Sequence, residues 1–144
     1  MNLKNYTTEV PASRSIGYIE DLLVEFGASN INKSYENGSC TGISFIIKVD
    51  GHNVPFRLPA KVRNVFTWLK KKKPTGQDKN LLAQAERIAW KQQHELLHLQ
   101  LGMISMDQME KMEVFLAYVL NVPENKTYYE TLKDNKFKAL SMGG

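Results

Sequence analysis

The sequence predicts an α+β fold: a small antiparallel sheet laid out as β-α-β-β-β in residues 1–60, then three to four helices in residues 61–144, within one domain. Three observations predict it. Asn37-Gly38 and Asp50-Gly51 each stand between strand-forming runs, and both dipeptides favour the tight turn whose twist suits antiparallel strands. Between Pro11 and Gly27, the residues Ile16, Ile19, Leu22, Leu23 and Phe26 recur at helical intervals and form one apolar stripe. After Pro59 the apolar spacing becomes helical.

Each element has a local reason. The stretch NYTTEV, Asn5 to Val10, alternates and is rich in threonine, which predicts a short first strand stopped by Pro11. Ser13 is placed to cap the first helix, and Gly27 suits the left-handed position after its last turn. NINKSY and CTGISFIIKV flank the first turn, and HNVPFRLP follows the second. Ile43, Phe45, Ile47 and Val49 face one side of the middle strand, Ser44 and Lys48 the other, and Val54, Phe56 and Leu58 continue the buried face. Val62, Val65, Phe66 and Leu69 predict a helix ending in the run Lys70 to Lys73. Pro74-Thr75-Gly76 reads as a linker, with Asp78 as the cap of a long helix from about Lys79 to Met103. Asp107 and Glu110 have capping-box spacing, so a third helix is expected as far as Val122, where Pro123 ends it. TYYETLKDNKFKAL is expected to hold a last short helix.

A chain of 144 residues, 42% hydrophobic and 24% charged, has enough apolar material for a packed core. No apolar run reaches the length of about eighteen residues needed to span a membrane. The opening MNLKNYTTEV lacks the apolar core of a secretory signal. Cys40 is the only cysteine, which excludes an internal disulfide and a cysteine-built zinc site. A reducing cytosol is therefore expected. The net charge of +4 permits contact with nucleic acid or acidic proteins without requiring it.

One stretch advertises chemistry. His94-Glu95-Leu96-Leu97-His98 spells H-E-x-x-H, in which two histidines one helical turn apart hold zinc and the glutamate activates water. Such a site needs a third protein ligand. Leu101 and Ile104 stand where one extension of the motif requires glycine and histidine, and Glu110 and Glu113 belong to a segment with its own apolar stripe. On a helical wheel, Leu82, Ala85, Ile88, Ala89, Leu96 and Leu99 form the core side. His94 and His98 fall away from it and share their side with Trp90, Leu97 and Leu101. The expectation is an outward-facing histidine pair, with no catalytic residue and no cofactor; His94 and His98 are the only metal candidates. Trp90, Leu97 and Leu101 are expected to form a partner-binding, subunit or base-stacking surface.

The cations offer a second theme. Lys70, Lys71, Lys72 and Lys73 close one helix, Lys61 and Arg63 precede them, and Arg57 lies on the strand face opposite Phe56 and Leu58. Together they form a candidate phosphate-contacting patch. A lysine run attracts phosphate as point charge and reads no base sequence. No glycine-rich phosphate loop and no G-x-S-x-G elbow are present. Met103, Met106, Met109 and Met112 read as adaptable filling.

The order YTTEVP, LLVEFGA, PFRLP, QAERIAW and VFLAYVL, spread over most of residues 5–120, resembles a family of small, mostly uncharacterised phage and prophage proteins. The resemblance implies a viral origin and a cytosolic site of action in a bacterial host, and it implies no catalytic residue. Family members carry other residues where this chain has HELLH, which counts against a metallopeptidase. The expected function is a non-enzymatic accessory protein that binds nucleic acid, or a complex that handles it, through the basic surface. An anti-defence module that inhibits a host immune protein or sequesters its nucleotide signal is the alternative, with the Trp90 face as a partner or homo-oligomer interface. A zinc hydrolase built on His94, Glu95 and His98 ranks third.

Overall fold

The computed structural model describes residues 3–143. Helix α1, Ala12–Glu25, leads into three strands: β1, Ser29–Glu36; β2, Ser39–Val49; and β3, His52–Pro59. They form one antiparallel sheet in the order β1-β2-β3. Both connections turn through two consecutive left-handed residues, Asn37 (φ 51°) and Gly38 (82°), then Asp50 (50°) and Gly51 (82°). This is the geometry that the two dipeptides favour. Gly27 follows α1 at φ 96°, as its place after the last turn requires.

The register sets Phe45 opposite Phe56 and Ser44 opposite Arg57. Alternation then buries Ile43, Phe45, Ile47, Phe56 and Leu58 on one face. Helix α2, Val62–Lys72, and the 28-residue α3, Asp78–Ser105, follow. The core is one cluster drawn from α1, β2, β3, α2, α3 and the segment around Phe115. No helix among the described residues is long and apolar enough to cross a membrane.

Three expectations need correction. Asn5 to Val10 is a turn and an irregular segment, with Asn5 at φ 67°, so the expected first strand is absent. Its backbone carbonyls at Tyr6 and Thr8 accept from the Gln84 side chain of α3 in place of a neighbouring strand. The expected third helix shrinks to α4, Lys111–Phe115, whose capping box joins Glu110 and Glu113. One tight turn, Leu116–Tyr118, and a two-stranded ladder of β4, Leu120–Asn121, with β5, Lys126–Thr127, follow it. Here tertiary pairing overrides local periodicity: Val119 bridges Phe56 across the free edge of β3. Helix α5, Tyr128–Asp134, is the expected last helix, capped by Thr127 and Glu130.

The third correction concerns the rotation of α3. Trp90, Leu97 and Leu101 are buried, while Leu96 and Leu99 are 46% and 64% exposed. The indole Nε1–H of Trp90 donates to the carbonyl of Cys40 at 3.0 Å, inside the core. The anticipated partner or stacking surface of Trp90, Leu97 and Leu101 is therefore core packing.

Two substitutions probe these contacts by chemical denaturation. Trp90→Phe keeps a ring but orphans the Cys40 carbonyl, and should cost about 1–3 kcal/mol. Phe115, fully buried with ring centroids 6.0 Å from Phe45 and 5.5 Å from Phe56, should cost about 3–5 kcal/mol on replacement by alanine.

Candidate nucleic-acid interface

The surface begins where Pro59 ends β3 and α2 starts. Lys70, Lys71 and Lys72 occupy the last turn of α2, where cations complement the negative end of the helix dipole. The seven expected phosphate-contacting cations do not act alike. The side chain of Arg57, 18% exposed, donates to Asn125 Oδ1 at 2.6 Å and to the Asn125 carbonyl at 3.0 Å, and pairs with Glu130 at 3.1 Å. Arg57 thus clamps the β4–β5 turn and α5 onto the outer face of β3, and its donors are committed there. This corrects its assignment to the phosphate patch. Lys70 pairs with Asp78 at 2.8 Å and donates to the Gly76 carbonyl at 2.9 Å, so it closes the α2–α3 turn.

Lys61, Arg63, Lys71, Lys72 and Lys73 are exposed and have no ion-pair partner among the described residues. Four of them lie over aromatic rings at cation–π distance. Lys72 stands 5.5 Å from the Trp68 centroid, Lys73 5.8 Å from Tyr6, Lys61 5.5 Å from Tyr129 and Arg63 5.4 Å from Phe66. By helical period Lys61, Trp68 and Lys72 lie within about 40° of one another on α2, and Arg63 lies on the far side. The cations are therefore split by α2. Lys61, Lys72 and Lys73 share the side that carries Trp68.

That side borders a groove of about 250 Å³ between α2, α3 and the N-terminal segment. Leu3, Tyr6, Val65, Trp68 and Ile88 give it apolar walls, and Lys4, Asn64 and Gln92 add polar groups. Tyr6 meets Trp68 edge to face at 5.4 Å. The segment lies across α3 as a strap. Gln84 donates to the carbonyls of Tyr6 and Thr8 at 3.2 and 3.1 Å, and Gln92 donates to that of Lys4 at 3.0 Å. Asn5 donates to Glu95 at 3.1 Å, and Lys4 and Lys91 pair with the same carboxylate at 3.1 and 3.4 Å. Sequence reasoning missed Trp68 and Tyr6. The available signal was the polar row Gln84, Lys91, Glu95 at helical spacing, which required something polar to lie on it.

The HELLH residues have separate employments. The Asn5 amide, then Lys4 and Lys91, hold the Glu95 carboxyl down at about 2, so it is a fixed anion of the strap. His94 packs beside Tyr18 of α1, ring centroids 5.1 Å apart, and burial with nearby Lys91 and His98 lowers its pKa. Its Nδ1 is buried and has no hydrogen-bond partner. His98 is exposed and stacks on His94 at 6.1 Å. No three His, Cys, Asp or Glu side chains are grouped to hold a metal among the described residues.

No protein-family model matches the chain, and neither a curated protein nor a solved structure matches it.

The folded-state pKa of Glu95 lies below the unfolded value of about 4.3, so its stabilisation is complete above that value and is lost as pH falls towards about 2. Glu95→Gln should therefore destabilise the protein by about 1 kcal/mol at neutral pH and match the wild type near pH 2. Denaturation curves across this range check the convergence; a constant difference contradicts the assignment.

Proposed function

We infer that the protein is a non-enzymatic accessory protein that binds single-stranded nucleic acid along the groove side of α2. One observation carries the reading. The half-buried Trp68 and Tyr6 line an apolar groove, and the unpaired ammonium groups of Lys72 and Lys73 lie directly over their rings. Single-strand binders combine these two things: aromatic faces for bases and cations tracking the backbone. The groove is smaller than the roughly 300–1,000 Å³ pockets of drug-sized ligands, which suits one base with the phosphates running outside over the lysines. The sequence blocks shared in pattern with small phage and prophage proteins support a site of action in an infected bacterial cytosol. Sequestration of a small nucleotide signal would use the same groove, and the apolar lining favours it as the second reading.

Fluorescence titration tests both, because Trp68 is the partly exposed member of the two tryptophans and Trp90 is buried. Oligonucleotides, duplexes and mononucleotides are compared at about 50 and about 200 mM salt. Single strands of eight or more nucleotides, roughly the site size of such grooves, should quench Trp68 and bind most tightly. With Lys61, Lys72 and Lys73 engaged, log K should fall against log salt with a slope of about −2. Trp68→Ala should cost about 1–3 kcal/mol of binding. Tighter binding of mononucleotides than of oligonucleotides selects the second reading, and no binding at low salt removes both.

A further inference from the structure

The second half of α3 carries two apolar stripes on opposite sides. The inner one, Trp90, Leu97 and Leu101, is core. The outer one is Leu96, Leu99 and Met103, with Met106 at the C-cap just beyond the helix, recurring at three and four residues over about 15 Å. Leu96, Leu99 and Met106 are 46%, 64% and 68% exposed. A helix with exposed residues in this pattern is unusual for a surface that meets only water.

Its charge is also unusual. Between Gln92 and Met106 the sequence holds one formal charge, Glu95, in a chain that is 24% charged. Glu95 is already paired within the molecule with Lys4 and Lys91. Depletion of charge with enrichment of methionine is the composition of an interface core. The strip carries no cation of its own for nucleic acid or an anionic membrane, and the polar residues beside it include Gln93 and Gln100. A glutamine amide both donates and accepts, so it complements itself. In a molecule of net charge +4, the residues of this strip bring no cation of their own against a second copy.

We propose that the outer strip of α3 is a homodimer interface formed by antiparallel packing of two copies of this helix. With Leu99 beside the two-fold axis, Leu96 sets against Met103 of the second copy and Met103 against its Leu96, as an isologous contact requires. A strip about 15 Å long is small beside a standard interface of about 800 Å² per partner, so the dimer is expected to be weak and concentration-dependent. It does not rest on the nucleic-acid reading: Leu96, Leu99 and Met103 line no part of the groove, although Gln92, one turn before Leu96, does.

Sedimentation velocity from about 5 to about 500 μM, at about 0.15 M and about 1 M salt, tests it. The wild type should shift from monomer to dimer, and high salt should not dissolve the dimer. Leu99→Glu and Met106→Glu should each weaken association by at least about tenfold, since each buries a charge in the contact. Both positions are mostly exposed, so the variants fold as the wild type does, which circular dichroism verifies. Tyr35→Glu, at a 59% exposed position on β1, should leave association unchanged. Leu99→Cys should form a disulfide-linked dimer on mild oxidation. A wild type that stays monomeric throughout, or a dimer untouched by both α3 variants, overturns the proposal.

Discussion

The rotation of α3 about its own axis is the constraint on which the rest of the structure depends, and the buried hydrogen bond from the Trp90 indole to the Cys40 carbonyl sets it. Cys40 lies at the start of β2 and is buried. Its carbonyl needs a donor, and an unpaired one would cost about 1–3 kcal/mol. Once Trp90 points inward, Leu97 and Leu101 follow it into the core by helical period. Gln84, Lys91 and Glu95 then face the strap, and Leu96, Leu99 and Met106 face outward. A single side chain thus decides which surface of the longest helix does what.

A second group of contacts builds the C-terminal part onto the sheet. The rings of Phe45, Phe56 and Phe115 meet pairwise at 5.5–6.0 Å and join both layers. Val119 covers the free edge of β3 through its bridge to Phe56, which removes a template for unwanted strand pairing. On the opposite face Arg57 reaches Asn125 and Glu130. Glu130 is held as a carboxylate by the backbone amide and hydroxyl of Thr127 and by Arg57, which lower its pKa. Cations on this protein consequently fall into two populations. Arg57 and Lys70 hold the chain to itself, whereas Lys61, Lys71, Lys72 and Lys73 remain open to solvent.

Much of this was legible in the sequence where the controlling physics is local. Left-handed backbone at Asn37-Gly38, Asp50-Gly51 and Gly27 is a property of those residues, and the hairpins and the end of α1 lie where they stand. The alternation of β2 and β3 shows which face is buried for the same reason. The rotation of α3 was not legible, because Leu96, Leu97, Leu99, Leu101, Met103 and Ile104 surround the helix and leave its period without a preferred side. Only the demand of a distant carbonyl chooses between them. The strap reads as a strand because Thr7, Thr8 and Val10 have strand propensity, yet its partners are amides of α3, which propensity does not register. In the candidate site, the lysine run was evident. Trp68 and Tyr6 become neighbours only through the packing of the strap on α2.

The rotation of α3 is most directly tested by solvent paramagnetic relaxation of leucine methyl signals, using a neutral gadolinium chelate at low micromolar protein. The structure predicts that the methyls of Leu96 and Leu99 broaden strongly while those of Leu97 and Leu101 keep their intensity. Protection of Leu96 and Leu99 with broadening of Leu97 and Leu101 would contradict the placement of Trp90, and with it the strap, the groove and the outer strip.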